Sequence, residues 1–190
     1  WFPIVPVGLY LCGASEIWSF DITPLLRTSR VKRMLEYFCE FEQSGALAKA
    51  LPQIRPERMS RVREALGRAE SESPQTLLER FNIHAVVRDA RRSGLRPKSI
   101  DLFVSTAVLE HIARPVLAEL FSEFQRLSTA NAVMSHYIGL KDQYGDFDHS
   151  ITPLNFLKYS DRQWKYLNSP LIPQNRLRVS DYRALLTETG

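Results

Sequence analysis

The sequence predicts an α/β fold: a doubly wound, mostly parallel sheet with helices on both faces. Three observations carry the prediction. Four apolar runs lack the alternation of a half-wet strand, amphipathic helical patterns separate them, and polar or acidic residues close three of the runs. Continuous apolar strands alternating with helices are what a parallel sheet covered by helices requires. Such sheets bind ligands at the carboxyl ends of their strands.

Taken in order, "VGLYLCG" reads as the end of a helix with Gly13 as its stop, followed by a strand from about Glu16 to Asp21. Residues Thr28 to Glu42 set Val31, Met34, Leu35, Phe38 and Phe41 at helical spacing, with Lys32, Arg33 and Glu36 toward water. Residues 43–80 are helical pieces broken by Gly45, Pro52, Pro56 and Pro74. The link from Asp21 to Asp89 exceeds an ordinary crossover, so 43–80 reads as a helical insertion. Its Arg55, Arg58, Arg61, Arg63 and Arg68 form either a lid or partner surface or, more simply, a solvated face of Glu/Arg pairs. A second strand runs from Ile83 to Ala90, a third through "SIDLFVSTAV" and a fourth through "NAVMSHYIGLKD". The helix between the last two spans Pro115 to Leu127. In the aromatic-rich tail, Ser160 to Leu167 and Ser180 to Thr187 are helical patterns, each opened by Ser-Asp.

At 190 residues and 44% hydrophobic content the chain suits one domain with a substantial core. A net charge of +4 with both signs scattered gives no nucleic-acid footprint. The sequence has neither a spanning apolar stretch nor a leader pattern, so a soluble, cytoplasmic protein is expected. Cys12 and Cys39 form no CxxC pair and read as buried thiols. A start at Trp1 and an end at Gly190, directly after a helical pattern, suggest a domain incomplete at both ends.

The strand ends carry the chemistry. A carboxylate only accepts hydrogen bonds, so Asp21 suits the vicinal hydroxyls of a ribose; a turn-forming Asp is the alternative. Asp89 suits the exocyclic amine of an adenine, with Ala90 leaving room for the flat base; alone, it too reads as a turn former. With Ser105 and Thr106 at a third strand end, these positions describe a nucleoside-sized crevice.

These residues bring a family into view. "IDLFVSTAVLEHIARP" resembles the fourth strand and following loop of class I S-adenosylmethionine-dependent methyltransferases. "SEIWSFDI" is similar to their second strand with its ribose-binding acid, and "VVRDA" to their third-strand motif. The tail, "SITPLNFLKYSDRQW" and "NRLRVSDYRALL", resembles a bacterial subgroup. "WFPIVPVGLYLCGA" resembles the helix after the family's glycine-rich loop, which together with the first strand would precede Trp1.

The resemblance implies a Rossmann-like methyltransferase domain over residues 1–190 with S-adenosylmethionine as cofactor. Asp21, Ile22, Asp89, Ala90, Ser105 and Thr106 would hold that cofactor. The expected acceptor is a small molecule. Glu110 suits the positive end of the next helix, and His111 is a candidate general base or a packing residue. On the loop after the fourth strand, Asp142 and His149 would bind or deprotonate the acceptor, while Tyr144 and Phe147 would wall its pocket or simply pack. A metal at His136, Asp142, Asp146, Asp148 and His149 is set aside, because they lack fixed ligand spacing. Two rivals remain: a nucleotide-dependent oxidoreductase on a similar sheet, and a non-catalytic interaction module using the Arg-rich insertion.

Overall fold

Every strand pairing is parallel, and it is confined to neighbours in the chain: β1 (Ile17–Asp21) with β2 (Ile83–Val87), and β3 (Ile100–Thr106) with β4 (Ser128–Tyr137). The computed structural model describes residues 2–189. The architecture is α/β, with short parallel strands in two separate two-stranded sheets instead of the one continuous sheet expected. The chain divides into two compact units, Trp1–Ala90 and Arg91–Gly190, each holding one sheet.

In the first unit, α1 (Ile4–Leu11) ends where the sequence says it should. Gly13 takes φ +112°, a conformation that residues bearing a Cβ rarely adopt, and its N–H bonds the Tyr10 carbonyl at 2.9 Å. Between β1 and β2 come α2 (Thr28–Gln43), α3 (Ala46–Ala50), α4 (Pro56–Gly67) and α5 (Pro74–Glu79). Val31, Met34, Leu35, Phe38 and Cys39 form the buried stripe of α2. Phe41 was expected in that stripe but falls at its edge and is half exposed, 6.4 Å from the Tyr37 ring.

The residues of 43–80 do not form a core of their own. Leu47, Met59, Val62, Ala65, Leu77 and Leu78 join α1, α2 and the strand residue Ile83 in one apolar cluster. Arg58 ties α4 to the end of α1, donating to the Tyr10 and Ala14 carbonyls at 2.5 Å and lying over the Tyr10 ring. The other arginines mostly meet glutamates: Arg63 pairs with Glu42, and Arg68 with Glu64 and Glu72. Ile17, Ile83 and Ala85 turn toward the helical core, whereas Trp18 and His84, stacked at 4.2 Å, remain half-buried.

In the second unit, α6 (Arg114–Leu127) buries Leu117, Leu120, Phe121 and Leu127. Phe103 packs on Phe124 at 4.7 Å, while Leu102, Val104, Val133 and Tyr137 on the alternate strand positions are exposed. β4 starts earlier than the apolar run suggests, because α6 passes into it directly. Thr129 Oγ1 donates to Asp101 Oδ1 at 2.8 Å, so cross-strand bonding supports a polar segment that hydropathy does not mark as strand. In the tail, α7 (Asp161–Leu167) starts from a Ser160/Gln163 capping box, and α8 (Val179–Thr189) buries Tyr182 and Leu185.

Glu123 pins the segment before β3 to α6. Its Oε1 accepts from the Ser93 N–H at 3.2 Å and the Ser93 hydroxyl at 2.5 Å, and Arg126 grips both oxygens at 2.7 Å. The Arg126 bonds first, then those from Ser93, hold its pKa at about 2, below the ordinary 4.5. A native value under the unfolded one means stability present above pH 4.5 and lost as pH falls toward 2. Urea unfolding at pH 7 should show Glu123→Gln less stable by about 1–3 kcal/mol, the scale of hydrogen bonds to a charged group. The loss of wild-type stability between pH 4.5 and 2 should shrink in the variant, and an unchanged acid limb would show that Glu123 does not set it.

Candidate functional site

Parallel pairing puts the carboxyl ends of β1 and β2 on one rim. Asp21 lies opposite Val87, and Asp89 follows two residues later, so both acids leave their strands on that rim. Asp21 Oδ1 accepts the Thr23 N–H at 2.9 Å, closing a turn, and its carbonyl accepts the Arg88 N–H at 2.8 Å. Oδ2 has no protein partner among the described residues. The turn-forming and ligand-accepting readings of Asp21 are therefore compatible, since one oxygen serves each.

An open cleft begins at Asp21, with Ser19 and Gln75 as polar lining and Leu25, Leu26, Ala85 and Val87 as apolar walls. Ile22, beside it, is almost fully exposed. β2 ends at Val87, short of the predicted Ala90, and Ala90 opens a short 3-10 helix to Arg92. Asp89 and Ala90 are half-buried just past the strand and lie outside the cleft lining.

The remaining predicted residues belong to the second unit. Ser105 and His136 are register partners, with the hydroxyl 2.8 Å from His136 Nδ1. The imidazole stacks on Phe124 of α6, centroids 6.0 Å apart, so the Ser105 side chain is engaged beneath that helix. Thr106, next along the strand, is exposed. Burial pushes the His136 pKa below 6.5, and its Nε2 is buried without a partner among the described residues.

Glu110 and His111 sit in a 3-10 helix, Leu109–His111, that precedes α6 rather than opening it. Glu110 is 3% exposed and accepts the Gly139 N–H at 3.0 Å, so it serves the interior and not a helix dipole. His111 has both ring nitrogens occupied. Nδ1–H donates to the Pro173 carbonyl at 2.7 Å, and Nε2 accepts from Gln143 Nε2 at 3.3 Å. The two contacts orient the ring and leave Nε2 as its accepting nitrogen.

The loop after β4 is likewise internally bonded. Asp142 is 1% exposed, accepts from the Tyr144 N–H and Asn155 Nδ2, and donates its own N–H to the Pro153 carbonyl. The Tyr144 hydroxyl accepts the Ser169 N–H at 3.0 Å and donates to the Leu167 carbonyl. Phe147 is 75% exposed. His149 is exposed and hydrogen-bonds no described residue. Asp146 pairs with Lys141 and Asp148 with Ser150. Among the described residues no three His, Cys, Asp or Glu side chains gather to hold a metal ion.

Sequence reasoning missed Gln174 and Asn175. Asn175 Nδ2 donates to the Leu109 and Ile112 carbonyls at 2.8 Å, and Gln174 Oε1 accepts the Gln143 N–H at 3.2 Å. Amides in a loop-like, Pro-flanked stretch read as solvent-facing; only the tertiary contacts reveal them as interior. Compared with protein-family models, with curated proteins and with solved structures, the chain matches none. Among the described residues no helix is long and apolar enough to cross a membrane.

His136 generates a pH prediction. Its native pKa lies below the ordinary 6.5, so the unfolded chain binds more protons, and stability is full above pH 6.5 and falls below it. Thermal melts from pH 7.5 down to 5 should show the midpoint dropping from about pH 6.5 downward, with a shallower drop in His136→Gln. Equal slopes in the two proteins would show that His136 is not buried as a neutral imidazole.

Proposed function

We propose that the chain binds S-adenosylmethionine and passes its methyl group to a small-molecule acceptor. The observation that carries this reading is Asp21 on the carboxyl rim of β1 and β2, lining an open cleft, with Oδ1 committed to the turn and Oδ2 without a partner among the described residues. An acceptor-only group with a free oxygen fits the vicinal hydroxyls of a ribose. Asp89 and Ala90, just past β2 on the same rim, support an adenine nearby.

The cofactor supplies an activated methyl on a sulfonium. The protein's task is then to hold an acceptor in line with that methyl, with a base only where the acceptor carries a proton. His111, whose Nδ1–H is held by the Pro173 carbonyl, and the exposed His149 are the candidates for that base. The doubly wound Rossmann-like sheet, residues 1–190 as one methyltransferase domain with 43–80 inserted, and work in the cytoplasm belong to the same proposal. Parallel pairing with helices in each crossover supports the sheet, while the single domain and the location rest on the sequence reading alone.

Calorimetric titration of the chain with S-adenosylmethionine, and separately with nicotinamide dinucleotides, tests the reading. Saturable binding of the first and none of the second is expected. Asp21→Asn keeps an oxygen for the Thr23 turn but loses the charged acceptor, and should weaken S-adenosylmethionine by about 1.5–3 kcal/mol. Unchanged affinity in that variant removes the ribose assignment.

A further inference from the structure

We propose that Glu110 couples the loop after β4 to residues 173–178, so that the two segments open and close together. Glu110 reaches both segments. Its side chain accepts from the Gly139 N–H, and its main-chain carbonyl accepts the Asn175 N–H at 2.7 Å.

The segments also hold each other. Gln143 donates its N–H to Gln174 and its side-chain amide to His111, whose other nitrogen donates to Pro173; Arg178 donates to the Leu140 carbonyl at 2.7 Å. Asn175 closes the set by donating to the carbonyls on either side of Glu110 and His111, at Leu109 and Ile112. Tyr182 joins the set, its hydroxyl bonding Asn175 at 3.2 Å.

A carboxylate buried to 3% exposure, with one N–H on Oε1 and none on Oε2 among the described residues, is an expensive choice for stability alone. What it provides is register. A Cβ at position 139 would lie 2.6 Å from Oε1, so a larger residue there would push the carboxylate away from its bond. Two further side-chain amides then fix the second segment, Gln174 against Gln143 of the loop after β4 and Asn175 against the turn that holds Glu110.

Hydrogen exchange read by mass spectrometry on Glu110→Ala, Glu110→Gln, Gly139→Ala and the Glu110→Ala/Gly139→Ala double variant tests this. Glu110→Ala should speed exchange roughly tenfold in both 139–143 and 173–178, with β3 and the middle of α6 unchanged. Gly139→Ala should do the same by displacing the carboxylate, and the double variant should be no worse than Glu110→Ala. Glu110→Gln, which keeps an acceptor for Gly139, should restore protection in both segments. Faster exchange in 139–143 alone, uniform loosening of 91–189, or an equal Gly139→Ala effect with and without Glu110 would each overturn the proposal. Should Glu110→Ala fail to fold by circular dichroism, the Gly139→Ala and Glu110→Gln results decide. A protein that ignores S-adenosylmethionine yet shows the coupled exchange would sink the methyl-transfer reading while leaving this one standing.

Discussion

Parallel strand pairing is the constraint from which the rest follows. A parallel ladder cannot be closed by a tight hairpin, so each pair needs a crossover, and the crossover must carry helices that cover the sheet. In the first unit that crossover is long enough to supply most of the apolar core; in the second it is the single helix α6. The same constraint sends both strands of a pair out at one rim. Whatever follows Asp21 and Val87, or Thr106 and Tyr137, begins on the same side of its own sheet. Function at a strand end is thereby a consequence of direction and not of any one loop.

The two units are stabilised differently. The first rests on an apolar cluster in which Val7, Met34, Leu35, Val62 and Leu77 are fully buried. Its charged groups lie outside, in exposed pairs of the kind that contribute little each. The second also buries polar side chains: Ser93, Glu110, Asp142 and Gln174. Most find partners in main-chain groups of loops, so their bonds organise irregular backbone that hydrophobic packing alone would leave undefined. Loop conformation there is specified by hydrogen bonding at a cost in desolvation.

Element type was legible where one local rule dominated. Gly13 as a helix stop, the stripe from Val31 to Phe38, the start of α7 at Ser160 and the strand through Phe103 all follow from spacing or capping. Where the deciding contact is remote, the sequence is silent. The start of β4 depends on bonding to Asp101 and on the helix it follows, so a polar "STAN" becomes strand. Phe41 lies at the margin of its stripe, where a turn's drift separates core from surface. The continuous sheet was inferred from alternation of strands and helices, which fixes pairing direction but not how many strands join.

For the site, residue type was readable and residue availability was not. Asp21, Asp142 and His111 look equally capable on paper: each is a polar group in a turn after a strand. Their difference lies in how much hydrogen-bonding capacity the fold consumes. Asp142 gives one oxygen to Tyr144 and the other to Asn155, and His111 commits both nitrogens, whereas Asp21 commits one oxygen and keeps one. A ligand can only compete for what the protein has not already satisfied, because displacing an internal bond leaves a buried group unpaired at about 1–3 kcal/mol. By that measure Asp21 on the rim of β1 and β2 keeps hydrogen-bonding capacity that Asp142 in the second unit has already spent within the fold.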